Sequence, residues 1–306
     1  MTPRRLTQDI SRARISQTTS DRARDAEFHG FSQETYDEQL QHTIIAAEAT
    51  YRCYLSTKGP FPTHEQELNW VKSVWPVAST KTGTQFAPPS NLAERLAAVC
   101  IRFRADVKAK IAPLVERIFE FETGESPERL GRNTERARYL KTDAAFINGE
   151  NGVPYQHPII QQCINVIWFG DRRGEGVMFS EEFYPIPYEA VALVLAVIEC
   201  CLDEWSKGSR IEIPFAYEHY KETHLYHLSA LKALTLQGLN TRHCDPLHQL
   251  RRDLYDEGRR HTGVTPRVLT DSRQIWSQER VNAACEGLLP AWFAKLPPPS
   301  ITDAGN

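Results

Sequence analysis

Apolar residues recur at three- and four-residue spacing along most of the chain, which is the pattern of helices that bury one face. The first such segment covers residues 36–54. The next begins at Thr63, because Thr63 and Gln66 have the spacing of a capping box. We expect Pro76 to end this second helix, since proline cannot donate the backbone hydrogen bond that a helix needs.

The longest predicted helix covers about residues 91–121. One stripe of it is apolar at helical spacing: Leu92, Leu96, Val99, Phe103, Val107, Ile111, Leu114 and Ile118. The charged stretch that follows, residues 122–142, is predicted to be a surface loop or a short helix.

A segment at about residues 187–205 opens with prolines and is apolar on every face from Ala190 to Ile198. A helix without a polar face is one that neighbours surround, so this segment is predicted to be the centre of the fold. The fold class that follows is all-α, a single multi-helix bundle around this central helix. The short stretch 210–215 is the one candidate for extended structure.

The rest of the chain completes a single-domain organisation. We predict a basic disordered arm over residues 1–30, a helical domain over 31–290 and a proline-rich tail over 291–306. Further helices are predicted over residues 158–169, 219–236, 245–258 and 272–286.

Composition narrows the class of protein. The formal net charge is −3, which excludes a wholly basic nucleic-acid binder and leaves local patches as candidates. Seven cysteines are scattered without a CxxC pair, which favours reduced thiols in an intracellular protein, cytoplasmic or nuclear. The longest apolar run is far shorter than the roughly 20 residues that span a bilayer, so no membrane partner is expected.

Several stretches together carry a likeness to a known family. They are residues 155–208, Tyr220-Lys221-Glu222, 227–228 and the HTGVTP of 261–266, preceded by GPFPTHEQELNWVKSVW at 59–75. This set resembles a fungal (basidiomycete) domain of unknown function of the DUF6532 type, over about residues 40–270. The resemblance implies an all-helical intracellular domain. It implies no activity, cofactor or catalytic residue, and of the histidines on the 219–228 segment it makes only His227 typical.

That segment, HYKETHLYHL, is the richest in candidate ligands. His224 and His227 have a spacing that can place two imidazoles on one metal, with a third ligand from residues 243–248. The alternative is that both histidines belong to the core edge, because Tyr220, His224 and Leu231 share one apolar stripe. His219 and Glu222 are expected on the opposite face.

The end of the central helix carries Glu199 and Asp203, four residues apart and hence on one face. A buried carboxylate pair can act as acid or base, with His227 as a further candidate catalytic residue. This hypothesis describes an enzyme with a helical-bundle pocket, lyase- or cyclase-like, although no motif implies a cofactor. The alternative is that Glu199 forms an ion pair or meets a tyrosine hydroxyl, while Asp203 and Glu204 lie at the wetter end of the helix.

Two basic features could hold anions. Arg251, Tyr255 and Arg259 fall at four-residue spacing on one helical face, and Arg136 and Arg138 belong to the charged stretch before them. Interleaved acidic residues could instead pair with these cations on a solvated face. Since basic segments recur and no catalytic set is complete, the sequence favours a module that binds protein or nucleic acid, with the enzyme as the alternative.

Overall fold

The computed structural model describes residues 33–142, 144–149, 152–242 and 245–265. The predicted arm, the proline-rich tail and the predicted helix at 272–286 lie outside these residues. The described part is all-α, as predicted. Its helices are α1 (Gln33–Thr57), α2 (His64–Thr82), α3 (Leu92–Ile118), α4 (Pro127–Thr142), α5 (Pro158–Trp168), α6 (Glu175–Met178), α7 (Ser180–Phe183), α8 (Tyr188–Asp203), α9 (Tyr217–Arg242) and α10 (His248–His261), with a 3-10 turn at Ala145–Ile147.

Helix α8 is the centre of the bundle, which confirms the prediction from its apolar faces. Every residue from Ala190 to Ile198 is buried. Helices α1, α3, α4, α5 and α9 all pack against it. Because residues 190–198 are buried on every side, this part of α8 contributes burial energy around its whole circumference.

Helix α2 begins as predicted and ends later than predicted. Thr63 accepts from the backbone N–H of Gln66, and the Gln66 side chain accepts from the backbone N–H of Thr63. The prediction that Pro76 ends this helix is wrong, because α2 continues to Thr82 and stops at Gly83 in a left-handed conformation. Trp75 and Ala78, on either side of the proline, are buried, and this packing offsets the missing backbone hydrogen bond.

Helix α3 carries the predicted stripe, and α4 forms in the charged stretch after it. All stripe residues from Leu92 to Leu114 are buried. Asn133 holds α4 in place, because its side-chain amide donates 2.8 Å hydrogen bonds to the carbonyls of Glu122 and Gly208. This one side chain therefore joins three segments that are distant in sequence.

Helix α10 begins at His248, three residues after the predicted start, and runs past Gly258 to His261. It packs on α5 and α6 around the ring of Phe169. A Cβ atom at Gly258 would lie 2.6 Å from this ring, and one at Gly176 would lie 2.3 Å from it. Both glycines are therefore required by the close approach of the two backbones to Phe169.

Strand pairing within the described ranges is limited to one isolated bridge, between Asn148 and Pro154. Residues 210–215 lie outside the helices and form no strand. None of the helices in these ranges is both long and apolar enough to cross a bilayer.

Candidate functional site

The histidine-rich stretch lies on α9 and divides between two faces, as its spacing predicts. Tyr220, His224 and His227 are buried toward α8, whereas His219 and Glu222 are exposed. The two buried histidines meet different partners, so we describe them separately.

His227 meets Glu199 of α8. Its Nε2 lies 2.9 Å from Glu199 Oε2, and the other carboxylate oxygen of Glu199 lies 3.4 Å from the Lys141 ammonium of α4. Burial alone would raise the pKa of Glu199, but the hydrogen bond from His227 and the charge of Lys141 hold that pKa below its ordinary value. Glu199 is therefore ionised and held by partners on two other helices.

Asp203, one turn further along α8, shares the same lysine. Lys141 donates to Asp203 Oδ1, and the hydroxyl of Tyr220 donates to Asp203 Oδ2 over 3.1 Å. Burial raises the pKa of Tyr220, and its neighbours Cys200 and Asp203 raise it further, so the phenol keeps its proton. Burial likewise raises the pKa of the Cys200 thiol, to about 11.

These five residues, Lys141, Glu199, Asp203, Tyr220 and His227, form what we call the carboxylate clamp. Each of the four carboxylate oxygens already has a partner within the protein. The sequence correctly placed the two acids on one face, and the structure joins them to a histidine and a tyrosine from α9 and a lysine from α4. With its oxygens occupied, the clamp is suited to fasten α9 and α4 to α8.

The most deeply buried carboxylate is a different one, Glu204. It is 1% exposed and accepts from the Lys108 ammonium at 2.5 Å, from Arg210 Nε at 2.9 Å and from the backbone N–H of Ile213 at 3.0 Å. Burial would raise its pKa, yet these donors lower the pKa below the ordinary value. The expectation that Glu204 lies at a wetter helix end is wrong, because residues 205–213 fold back over it. The sequence signal was Lys108, a cation beside the apolar stripe of α3.

His224 is a core residue. Its side chain is 3% exposed, its Nε2 lies 3.3 Å from the carbonyl oxygen of Glu189, and its ring packs edge-on against Phe61. Burial lowers its pKa to about 4, so the imidazole is neutral at physiological pH. The nearest ring-nitrogen partners of His224 and His227 are thus different groups.

The predicted metal site therefore receives no support from the described geometry. Among the described residues, no group of three or more His, Cys, Asp or Glu side chains is arranged to hold a metal ion. The proposed third ligands at 243 and 244 lie outside the described residues, and His248 is exposed at the start of α10.

The predicted cationic face of α10 points largely inward. Tyr255 is 0% exposed and packs edge-on against Phe169 and Tyr184. Arg251 lies over the ring of Tyr188 at 3.8 Å and contacts Asp245 at 3.3 Å. Base stacking on Tyr255 would require this part of the core to open.

The other predicted cations bind backbone carbonyls or lie at the surface. Arg259 donates to the carbonyl of Thr265 and to the hydroxyl of Tyr255. Arg136 donates to the carbonyls of Phe119 and Glu120 and thereby caps the end of α3. Arg138 is exposed on α4.

An open groove of about 600 Å³ lies at the end of α3. Its lining is Pro113, Glu116, Arg117, Glu120, Phe121 and Glu122. The three glutamates form ion pairs with Arg210, Arg136 and Arg132 respectively, so the groove offers mixed and largely neutralised charge.

The outer face of α9 was missed by the sequence analysis. Leu225, Leu236 and Leu239 are 39%, 59% and 43% exposed, and Ser229 and Lys232 are exposed between them. These five positions have alternating four- and three-residue spacing, which is that of the a and d positions of a coiled coil. We call them the α9 seam. The three leucines already show this spacing in the sequence, but the apolar stripe on the same helix predicts only its buried face.

The fold and the site define an all-helical domain in which the carboxylate clamp fastens helix α9 to the central helix α8. The family model described as Domain of unknown function (DUF6532) matches residues 46–234. Since this match covers more than half of the chain, the protein belongs to the DUF6532 family. The matched range contains the clamp and the first three positions of the α9 seam, and it ends before Leu236. No curated protein and no solved structure matches the chain.

Proposed function

We propose that the protein is a protein-binding module and that the α9 seam accepts a helix from its partner. The observation that carries this proposal is the row of exposed leucines on a helix whose other face is buried in the domain. Several exposed leucines on one face of a helix are more typical of an interaction surface than a single exposed leucine is.

The spacing of the α9 seam favours a helical partner. Positions that alternate by four and three residues remain aligned along a second helix, so that side chains of each helix fill the gaps of the other. The seam extends over fifteen residues, which corresponds to about 22 Å of helix. Ser229 would let the partner's backbone approach closely near the middle.

The clamp prepares α9 for such a contact. Tyr220 and His227 fasten its first half to α8, and Thr235 in its second half donates to Asp245 over 3.0 Å. A helix that is already ordered loses less conformational entropy on binding than one that must fold first. Because each carboxylate oxygen of the clamp already has a partner, Glu199 and Asp203 are poorly suited to act as the acid and base of an enzyme.

Protein is favoured over nucleic acid because three of the four predicted arginines are already engaged, and only Arg138 is left exposed on α4. Arg251, Arg259 and Arg136 each bind groups of their own chain. Counterion release, the main source of nucleic-acid affinity, requires cations that are available to phosphates. We place the module inside the cell, in the cytoplasm or the nucleus, since the five described cysteines are free and buried.

Comparative affinity capture tests the proposal on the full chain. The Leu225→Glu/Leu236→Glu variant is compared with wild type and with Ile101→Glu, which alters an equally exposed apolar residue of α3. We expect a defined protein that wild type and Ile101→Glu retain equally and that the seam variant loses at least tenfold. A synthetic helix from that protein should then bind the purified chain with the same dependence.

Two results would count against the proposal. One is that no captured protein distinguishes the seam variant from the control. The other is that the purified chain shifts nonspecific DNA or RNA with a strong salt dependence that the seam variant preserves, which would assign the binding role to nucleic acid.

A further inference from the structure

We infer that, in the free protein, residues 272–293 of the same chain occupy the α9 seam and compete with the partner for it. This inference rests on the proposed function, because it identifies what covers the seam before a partner arrives. It draws on the composition of the segment, on its tether to α10 and on the charge in the middle of the seam.

The segment has the composition of a partner for an apolar seam. Its sequence predicts a helix over residues 272–286, followed by Gly287. Apolar residues recur through it: Ile275, Trp276, Val281, Leu288, Leu289, Trp292 and Phe293. Val281 lies within the predicted helix and Leu288 directly follows Gly287.

The end of α10 is close enough for the segment to reach the seam. Asp245, just before α10, accepts a hydrogen bond from Thr235, the neighbour of Leu236 on α9. Helix α10 has 14 residues and is therefore about 21 Å long. The ten residues from 266 to 275 extend up to about 35 Å, so they can span the length of α10 and bring Ile275 back to α9.

A second copy of the chain is a poorer occupant. Lys232, the middle position of the seam, pairs with Glu189 of α8 over 3.0 Å at the surface, so a symmetric pairing of two seams would bring two such ion pairs together and remove them from water. Residues 272–293 carry two arginines and two glutamates and are therefore neutral overall, with Glu279 in the middle of their predicted helix beside Arg280. A short tether also presents the segment at an effective concentration of millimolar order, above that of a free second copy.

Site-specific photo-cross-linking of the full chain tests this inference. A benzoylphenylalanine replaces Leu236 in one sample and Ile101 of α3 in the control, and an equal mixture of ¹⁴N- and ¹⁵N-labelled protein is irradiated. We expect position 236 to cross-link to residues 272–293 within chains of a single isotope, and position 101 to give at least tenfold less of this product. Cross-links between isotopes, or an absence of cross-links to 272–293, would overturn the inference.

A second pair of variants separates this inference from the proposed function. Val281→Glu/Leu288→Glu should reduce the intramolecular cross-link at least tenfold and should increase capture of the seam-dependent partner, whereas Ser300→Glu, outside the segment, should change neither. If partner capture depends on the seam but is unaffected by Val281→Glu/Leu288→Glu, the inference is wrong and the proposed function stands. If no partner depends on the seam even in this variant, the proposed function fails.

Discussion

The ammonium group of Lys108 lies 2.5 Å from Glu204 Oε1, and both side chains are withdrawn from water. They come from α3 and from the turn after α8, nearly a hundred residues apart in sequence. Each charge is tolerated in the core because the other is present, together with Arg210 and the backbone of Ile213.

Removing the cation should therefore be costly. Lys108→Met leaves a buried carboxylate with fewer donors, and we expect a loss of about 3 to 5 kcal/mol in the free energy of unfolding. Urea denaturation followed by circular dichroism measures it. Lys72→Met, at an exposed position of α2, is the matched control and should change stability little. A loss below about 1 kcal/mol for Lys108→Met would show that Arg210 alone satisfies Glu204.

The neutral His224 should make stability depend on pH. Its pKa is about 4 in the folded protein against an ordinary value of 6.5, so the unfolded chain binds more protons between these values. Stability from this group is complete above pH 6.5 and is lost as the pH falls toward 4, by about 3 kcal/mol in total. Unfolding free energies measured across this range should fall less steeply in His224→Leu than in wild type. Leu225→Ala, a change without a titratable group on the exposed face of α9, should leave the slope unchanged.

The clamp predicts a titration shift at Glu199. Burial raises the pKa of Glu199, whereas the His227 and Lys141 contacts lower it by more, so Lys141→Met should move that pKa upward. Carboxyl ¹³C NMR titration of the glutamates reports the shift directly. Because Lys141 is one-third exposed, we expect a stability loss of only about 1 kcal/mol. Lys207→Met, at an exposed position after α8, should leave the titration of Glu199 as it is.

Two glycines should respond oppositely to alanine. Gly258→Ala places a methyl group 2.6 Å from the ring of Phe169 and should cost about 1 to 3 kcal/mol. Gly131→Ala adds a methyl group in open space within α4 and should stabilise the protein by up to about 1 kcal/mol. Thermal unfolding of the two variants side by side checks the difference, and equal midpoints would contradict the packing around Phe169.

The α9 seam should tolerate charge, because its residues lie outside the core of the helical domain. Leu236 is 59% exposed, so Leu236→Glu is expected to change the free energy of unfolding by no more than about 0.5 kcal/mol. Leu231→Glu, five residues earlier on the buried face of the same helix, should destabilise the protein strongly. Similar losses in both variants would place the outer leucines in the core.

The sequence was most informative where local pattern decides structure. The stripe of α3, the all-round apolar α8 and the inward side of His224 follow from helical spacing alone. The prediction that Pro76 ends α2 is wrong because the tertiary packing of Trp75 and Ala78 keeps the helix intact. The prediction that Glu204 lies at a wetter helix end is wrong for a similar reason, since its burial depends on Lys108 of α3 and on residues 205–213. Spacing shows that α9 has apolar residues on two faces, but it does not show which face packs on the domain. The α9 seam could therefore not be predicted from the sequence.

Polar contacts fasten both halves of helix α9 to the rest of the domain. Tyr220 holds it to Asp203 and Thr235 holds it to Asp245, fifteen residues or about 22 Å apart. Contacts this far apart oppose both tilting and rotation of the helix. A load on the outer side of α9 is therefore shared between Asp203 and Asp245. A partner that binds the outer side of α9 is therefore linked to both ends of the central helix α8. Asp203 is the last residue of α8, and Tyr188, whose hydroxyl donates to Asp245, is its first.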